Sequence, residues 1–462
     1  MFVSASTTPA AVYAGIKREL TVTPTTFGQS QFPRHIKLYR ECPGGIEVPT
    51  AYAVSKLGFA MRNPSFSTAR PLPKETVFCG ELKDSMQQVE AAEAVMRDLA
   101  ESPHSCMLSL PTGFGKTVVA LHVAKTLGLQ TLVIVHRNLL VDQWTERVKQ
   151  YLPTLSTSLV RGKSSDCTGD VTIAMLQTCL ARPGMDYSSF GTVILDEAHH
   201  VCAKHFSNIM FAVRSVPYKV CLSATPFRKD GLSCVLTHWI GKTSYIAHRR
   251  QQTHVEVRAY NYTCDAYREL PPMNRHMGTV NHPAVISALC DVGDRTALIA
   301  RIVEALVREE RRKVLVLSHR RQHCEDLVSI LIDAGIAARA FLGGAKKKSR
   351  KNKENIQFSS PQLAMEDAAV VCSTFANVSE GFDDSSFTAL VLSTPSSDVQ
   401  QSVGRLLRGD CTAPVVVVDV HDKWLPCYAS AKKRAVFYRQ SGFVVKNQNV
   451  DVPVLQTFAF TD

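Results

Sequence analysis

Residues 105–128 read SCMLSL, then PTGFGKT, then VVALHVAKTLG. The first run is short and apolar, as a buried strand is, and the last repeats apolar residues at helical spacing. The turn between them carries Gly113 and Gly115 ahead of Lys116 and Thr117. A strand that passes through such a turn into a helix presents unpaired backbone N–H groups at the helix N-terminus, where they and the helix dipole favour a bound phosphate. In that geometry Pro111, Thr112, Gly113, Phe114 and Gly115 form a cradle, Lys116 reaches the outer phosphates of a nucleotide and Thr117 offers a hydroxyl to Mg²⁺. Leu110 stands where the strict G-x-x-x-x-G-K-[ST] pattern has its first glycine, so the stretch taken alone also reads as a Gly-rich strand-to-helix turn.

Outward from this junction, short apolar runs keep alternating with amphipathic segments: TLVIV, LLVDQWTERVKQYL, VTIAML, TVILDE and YKVCLSA. That alternation predicts a parallel sheet covered by helices. TVILDE delivers Asp196 and Glu197 to the carboxyl end of a strand, the edge at which open α/β sheets bind ligands. One carboxylate can hold Mg²⁺ and its neighbour can orient an attacking water. The rhythm breaks over residues 245–290, with polar and Pro-containing stretches such as RELPPMNRHMGTVNHP, and restarts near Arg295. There Leu298, Ile299, Ile302, Val303, Leu306 and Val307 repeat at helical spacing, followed by KVLVLS, DAAVVCS, FTALVLS and APVVVVDV.

The expected organisation is an N-terminal accessory domain over 1–80, a first α/β lobe over 81–245, a linker or insertion over 246–290, a second lobe over 291–445 and a tail over 446–462. Within the first part, HIKLYRE, CPGG and IEVPTAY read as a β-hairpin. A chain of 462 residues with 45% hydrophobic content also exceeds what one core usually holds. The formal charge of +12 favours polyanionic partners. Fourteen cysteines are scattered with no C-x-x-C pair, which indicates neither a zinc ribbon nor a disulfide framework and fits a reducing compartment. His199, His200, Cys202 and His205 are metal-ligand types without a second ligand pair at standard spacing. No apolar run is long enough for a bilayer, so no membrane partner is expected, and the protein is read as soluble and intracellular.

LPTGFGKT, DEAHH and LSATPFRKDG together resemble the DEAD/DEAH-like superfamily-two helicases, in particular the XPB-like and UvsW-like branch with its relatives in large DNA viruses. The resemblance runs from about residue 81 to 440. VIVHRNLLVDQW resembles motif Ia, VTIAMLQT the strand and turn that place Gln177 and Thr178 beside nucleic acid, and Ser223 to Thr225 motif III. In the second half VLVLSHRR resembles motif IV, STFANVSEGFD motif V, and QQSVGRLLRG motif VI in the form Q-x-x-G-R-x-x-R.

The resemblance implies two RecA-like lobes in tandem that bind ATP and Mg²⁺ between them. Lys116, Thr117, Asp196 and Glu197 then come from the first lobe, while Arg405 and Arg408 come from the second to neutralise the γ-phosphate, a contribution of roughly 10³ to 10⁵ in rate. It also implies that His199 contacts Gln401, that Gly381 and Asp383 face the nucleotide, and that Arg137, Gln177, Thr178 and Thr374 face nucleic acid. Gln88 fits the adenine-reading position, although Leu82 and Lys83 displace the usual lead-in and Gln87 is an alternative. Arg228, Lys229 and Asp230 occupy the place of an Arg-Glu-Asp element that touches duplex DNA, with lysine in place of glutamate; a plain charged loop is the other reading. KKKSRKNK, residues 346–353, reads as a nuclear localisation signal, a phosphate-contacting surface or a solvated loop. The function so implied is an ATP-dependent helicase or translocase acting on DNA, with RNA as the alternative substrate, without sequence specificity, in host cytoplasm or nucleus if its source is viral. Its rivals are a duplex translocase that does not separate strands and an ATP-gated clamp.

Overall fold

The computed structural model describes the chain except residues 25–34, 61–67, 111–113, 199–202, 225–230, 248–254, 275–277, 343–367, 382–385, 398, 400–401, 404–413 and 451–462. The residues fall into two units, 1–248 and 249–462.

The first unit is built on a seven-stranded sheet in the order Thr243–Ile246, Ser105–Ser109, Tyr218–Ser223, Thr192–Leu195, Thr131–Val135, Val171–Met175, Thr157–Val160. Every neighbouring pair is parallel. The reason lies in the pleat: successive side chains of a strand point to opposite faces, so strands covered on both faces must be apolar throughout. Leu132 and Ile134 enter the core on one face while Val133 and Val135 enter the core on the other. Met107 divides from Cys106 and Leu108 in the same way. The order sets Tyr218–Ser223 between the strand that leads to the phosphate loop and the strand that ends before Asp196, with Ser223 level with Ser109 and Cys221 level with Leu195.

Residues near the N-terminus do form the expected hairpin: Arg40–Cys42 and Gly45–Glu47 pair antiparallel across Pro43 and Gly44. Its second arm ends at Glu47, and Thr50–Leu57 is a helix that rests on Ser233–Ile240, with Tyr52 edge-on to His238 at 5.1 Å. Val3, Leu20, Ile46 and Tyr52 share one buried cluster with Phe206, Ile209 and Trp239. So small a segment buries its apolar side chains against the lobe.

The second unit holds another seven-stranded parallel sheet, in the order Ala338–Phe341, Val370–Thr374, Val314–Ser318, Ala389–Leu392, Val415–Asp422, Val255–Tyr262, Val444–Val450. Two sequence expectations change here. Residues 246–290 are not a linker throughout, because Val255–Tyr262 is an interior strand between two others and His282–Cys290 is a helix capped by the Asn281 side chain. VEVRAYNY alternates apolar with polar residues, which hid it among the polar stretches around it. Residues 446–450, expected as the start of a tail, continue the edge strand. A fully buried ion pair braces this unit: Arg295 donates from Nε to Asp422 Oδ1 at 2.7 Å and from a terminal nitrogen to Oδ2 at 2.9 Å.

Candidate nucleotide site

Leu110 explains its own departure from the phosphate-loop pattern. Its side chain is fully buried in the core and its N–H donates to Ser223 O at 3.2 Å, so the position extends the strand instead of entering the loop. The loop ends at Gly115, the N-cap of the Lys116–Leu127 helix, where φ is +77°. Glycine is required twice over here, by that left-handed backbone and because a Cβ would lie 2.4 Å from Gln88 Nε2. Gln88, 3% exposed, donates from Nε2 to Phe114 O at 2.9 Å and accepts the Lys83 N–H on Oε1 at 2.9 Å. Its amide therefore tethers the phosphate loop to the Gln88–Ala100 helix. The neighbouring Gln87 accepts from the Tyr245 hydroxyl at 3.0 Å.

The strand Thr192–Leu195 ends at Asp196, and Glu197 follows in a left-handed conformation with φ +48°, uncommon for a residue with a side chain. Glu197 Oε1 accepts from Lys116 Nζ at 3.1 Å, joining two residues 81 positions apart. Asp196 is 7% exposed. Its Oδ1 accepts the Glu197 N–H at 2.9 Å and its Oδ2 accepts the indole N–H of Trp144 at 2.9 Å. Burial, with the charge of Glu197 adding to it, pushes the Asp196 carboxyl up to about 6, while Lys116 opposes the rise. A cation beside this carboxylate would offset both the burial and the charge of Glu197. With each oxygen holding a single donor, lone pairs remain for one, so the residues fit Mg²⁺. Thr117 lies in the first turn of the Lys116–Leu127 helix, directly after Lys116.

The chain matches the family model described as type III restriction enzyme, res subunit, over residues 81–228, the span that contains this site. A protein of Acanthamoeba polyphaga mimivirus, by its name an ATP-dependent RNA helicase, is 26% identical over 422 residues covering 88% of this chain and 77% of its own. A helicase by name from Invertebrate iridescent virus 6 is 27% identical over 390 residues, 80% of this chain and 84% of its own. The chain is a nucleic-acid helicase, similar to those of superfamily two. Among solved structures, S. cerevisiae Dbp5 bound to RNA and ADP BeF3 shares the fold, at a TM-score of 0.52 and 12% identity over 81% of this chain and 95% of that one. The helicase hydrolyses ATP, its two sheets are RecA-like, and it resembles the helicases of large DNA viruses.

In this helicase Arg137, Gln177 and Thr178, three of the residues expected at nucleic acid, lie at neighbouring strand ends. Val135 pairs with Met175, so the residues that follow these strand ends meet, and Gln177 Nε2 donates to His136 O at 3.1 Å beside the exposed Arg137. Thr178 lies in the same short helix as Gln177. In the second unit Thr374 ends its strand and its hydroxyl accepts the Asn377 N–H at 3.3 Å, capping the Phe375–Gly381 helix that contains Gly381. Pro111, Thr112, Gly113, His199, Arg228, Lys229, Asp383, Gln401, Arg405, Arg408 and the 346–353 run lie outside the described residues. In the sequence Trp144 falls in an amphipathic segment and ends the stretch that resembles motif Ia, and neither gives it a role. Its one distinguishing signal is chemical: a buried indole N–H needs an acceptor, and sequence alone does not say which. Among the described residues no helix is long and apolar enough to cross a membrane.

Proposed function

We propose that this helicase is a DNA motor in which Lys116 and Thr117 hold the phosphates and Mg²⁺ of ATP, Asp196 completes the cation site and Glu197 orients the attacking water. The observation that supports it most directly is the 3.1 Å contact between Lys116 and Glu197 beside a fixed Asp196, because it gathers phosphate binder, cation ligand and water-positioning carboxylate at one edge of one sheet. Magnesium would neutralise charge on the outer phosphate oxygens. Lys116 exchanges Glu197 for phosphate when nucleotide enters, which releases the Glu197 carboxylate to hold water. Gln88 keeps the loop in register through Phe114. Arg405 and Arg408, by their motif VI spacing, supply the charge that completes turnover. Arg137, Gln177, Thr178 and Thr374 carry the backbone-directed grip on the strand, and Arg228 and Lys229 add a contact to duplex.

DNA is chosen over RNA because the span bearing the site matches a restriction-enzyme family model and because DEAHH with LSATPFRKDG resembles the XPB-like branch. The deciding experiment compares ATP turnover alone and with single-stranded DNA, duplex DNA and RNA, together with strand separation on a forked duplex. DNA stimulation with loss of turnover in R405A is the expected result; stimulation by RNA alone would overturn the choice of substrate, and translocation on duplex without separation would make the protein a duplex motor.

A further inference from the structure

Trp144 belongs to the Asn138–Tyr151 helix, which starts directly after Arg137. It is 2% exposed and lies in the same buried cluster as Leu121, Val133 and Val148. An indole N–H can only donate, and in a packed core it needs an acceptor. The acceptor here is Asp196 Oδ2 at 2.9 Å, 52 residues away in sequence. The other oxygen is held by the Glu197 N–H at 2.9 Å. The carboxylate is thus fixed from two sides: by its own backbone and by a helix that packs across the sheet. At the far end of this connection Gln177 bonds His136 O, next to Arg137, so the start of that helix is tied to a second residue of the nucleic-acid edge.

We propose that Trp144 is a positioning residue for the cation-binding carboxylate, its indole N–H setting the Asp196 side chain and linking the helix that begins at Arg137 to the nucleotide site. This rests on the reading of Asp196 as the Mg²⁺ ligand and of Arg137 and Gln177 as nucleic-acid contacts. Partners that orient a metal ligand typically change metal affinity or activity by about 10- to 100-fold when removed. A strand held at Arg137 and Gln177 acts on the same helix, so the link gives nucleic acid a route to the ATP site inside a single lobe.

W144F keeps an aromatic ring in the core and removes the donor. The expected result is a half-saturating Mg²⁺ concentration for binding of a fluorescent ATP analogue raised by roughly 10-fold or more, with a smaller ratio of DNA-stimulated to basal turnover. At saturating Mg²⁺ the KM for ATP should hold. A purely packing role for Trp144 would lower the melting temperature and leave the Mg²⁺ midpoint alone, so a folded W144F with the wild-type midpoint and stimulation overturns the proposal. If W144F does not fold, 5-fluorotryptophan in the wild-type chain decides. Its three tryptophans give ¹⁹F resonances that W239F and W424F assign by elimination. A Trp144 resonance that does not move when Mg²⁺ is added to the nucleotide-bound protein overturns the proposal. The two levels separate cleanly: if D196N retains turnover, the reading of the site fails, whereas if D196N is inactive and W144F is indistinguishable from wild type, only the role of Trp144 fails.

Discussion

Lys116 Nζ stands 3.1 Å from Glu197 Oε1, a contact that closes the distance between the helix after the phosphate loop and the end of a strand two places away in the sheet. Both side chains are mostly covered, at 11% and 21% exposure, so the pair is more than a surface ion pair. In the proposed mechanism the pair keeps each charge compensated until ATP separates them.

Glu197→Gln should bind ATP and DNA and turn over slowly, because shape and the Asp196 ligand survive while the base is lost. A fall in kcat of about 10² to 10⁴ is expected, read in a steady-state phosphate-release assay with nucleotide affinity measured separately. Lys116→Ala should instead lose nucleotide affinity, and wild-type turnover in a folded K116A would refute the site.

Gly115→Ala meets two obstacles, the left-handed backbone and the Gln88 amide 2.4 Å from the new Cβ. Destabilisation of about 1 kcal/mol or more is expected, together with weaker ATP binding, by thermal melt and nucleotide titration. The double variant Q88A/G115A removes the collision but keeps the backbone strain and gives up the Phe114 tether, so it should recover part of the thermal stability and none of the ATP affinity.

Lys219 is buried near the start of its strand, with Nζ donating to Val216 O, and burial pushes its ammonium down to about 8. Below pH 8 the folded chain carries this buried charge, which costs stability. Between pH 8 and about 10.5 the folded state releases the proton that the unfolded state keeps, so stability gains with rising pH from this group. K219M should therefore be stabilised relative to wild type most below pH 8, with the difference shrinking toward zero by about pH 10.5. Urea melts at pH 7 and 10 check this, and a constant difference would refute it.

Arg295→Met leaves the Asp422 carboxylate buried without its partner, and a loss of about 3 to 5 kcal/mol is expected from the second unit. Replacing both, R295M/D422L, should recover much of that loss, since two apolar residues carry no uncompensated charge. Denaturant midpoints of the single and double variants measure the difference, and equal midpoints for the two would contradict the expectation.

Sequence by itself determined the strand-to-helix junction at Lys116, the carboxylates at the end of TVILDE and the two-lobed α/β class, because each depends on local periodicity and on turns a few residues long. It hid Val255–Tyr262, whose burial comes from two flanking strands distant in the chain, Val415–Asp422 and Val444–Val450, and not from an apolar run of its own. Tertiary structure alone decided that Lys116 faces Glu197, that Gln88 ties down Phe114 and that Trp144 holds Asp196. Those contacts span 81, 26 and 52 residues, and strand order and helix packing set them. Which buried acceptor an indole or an amide finds is a matter of where non-local pairing puts the neighbouring strand end, and no local pattern encodes that.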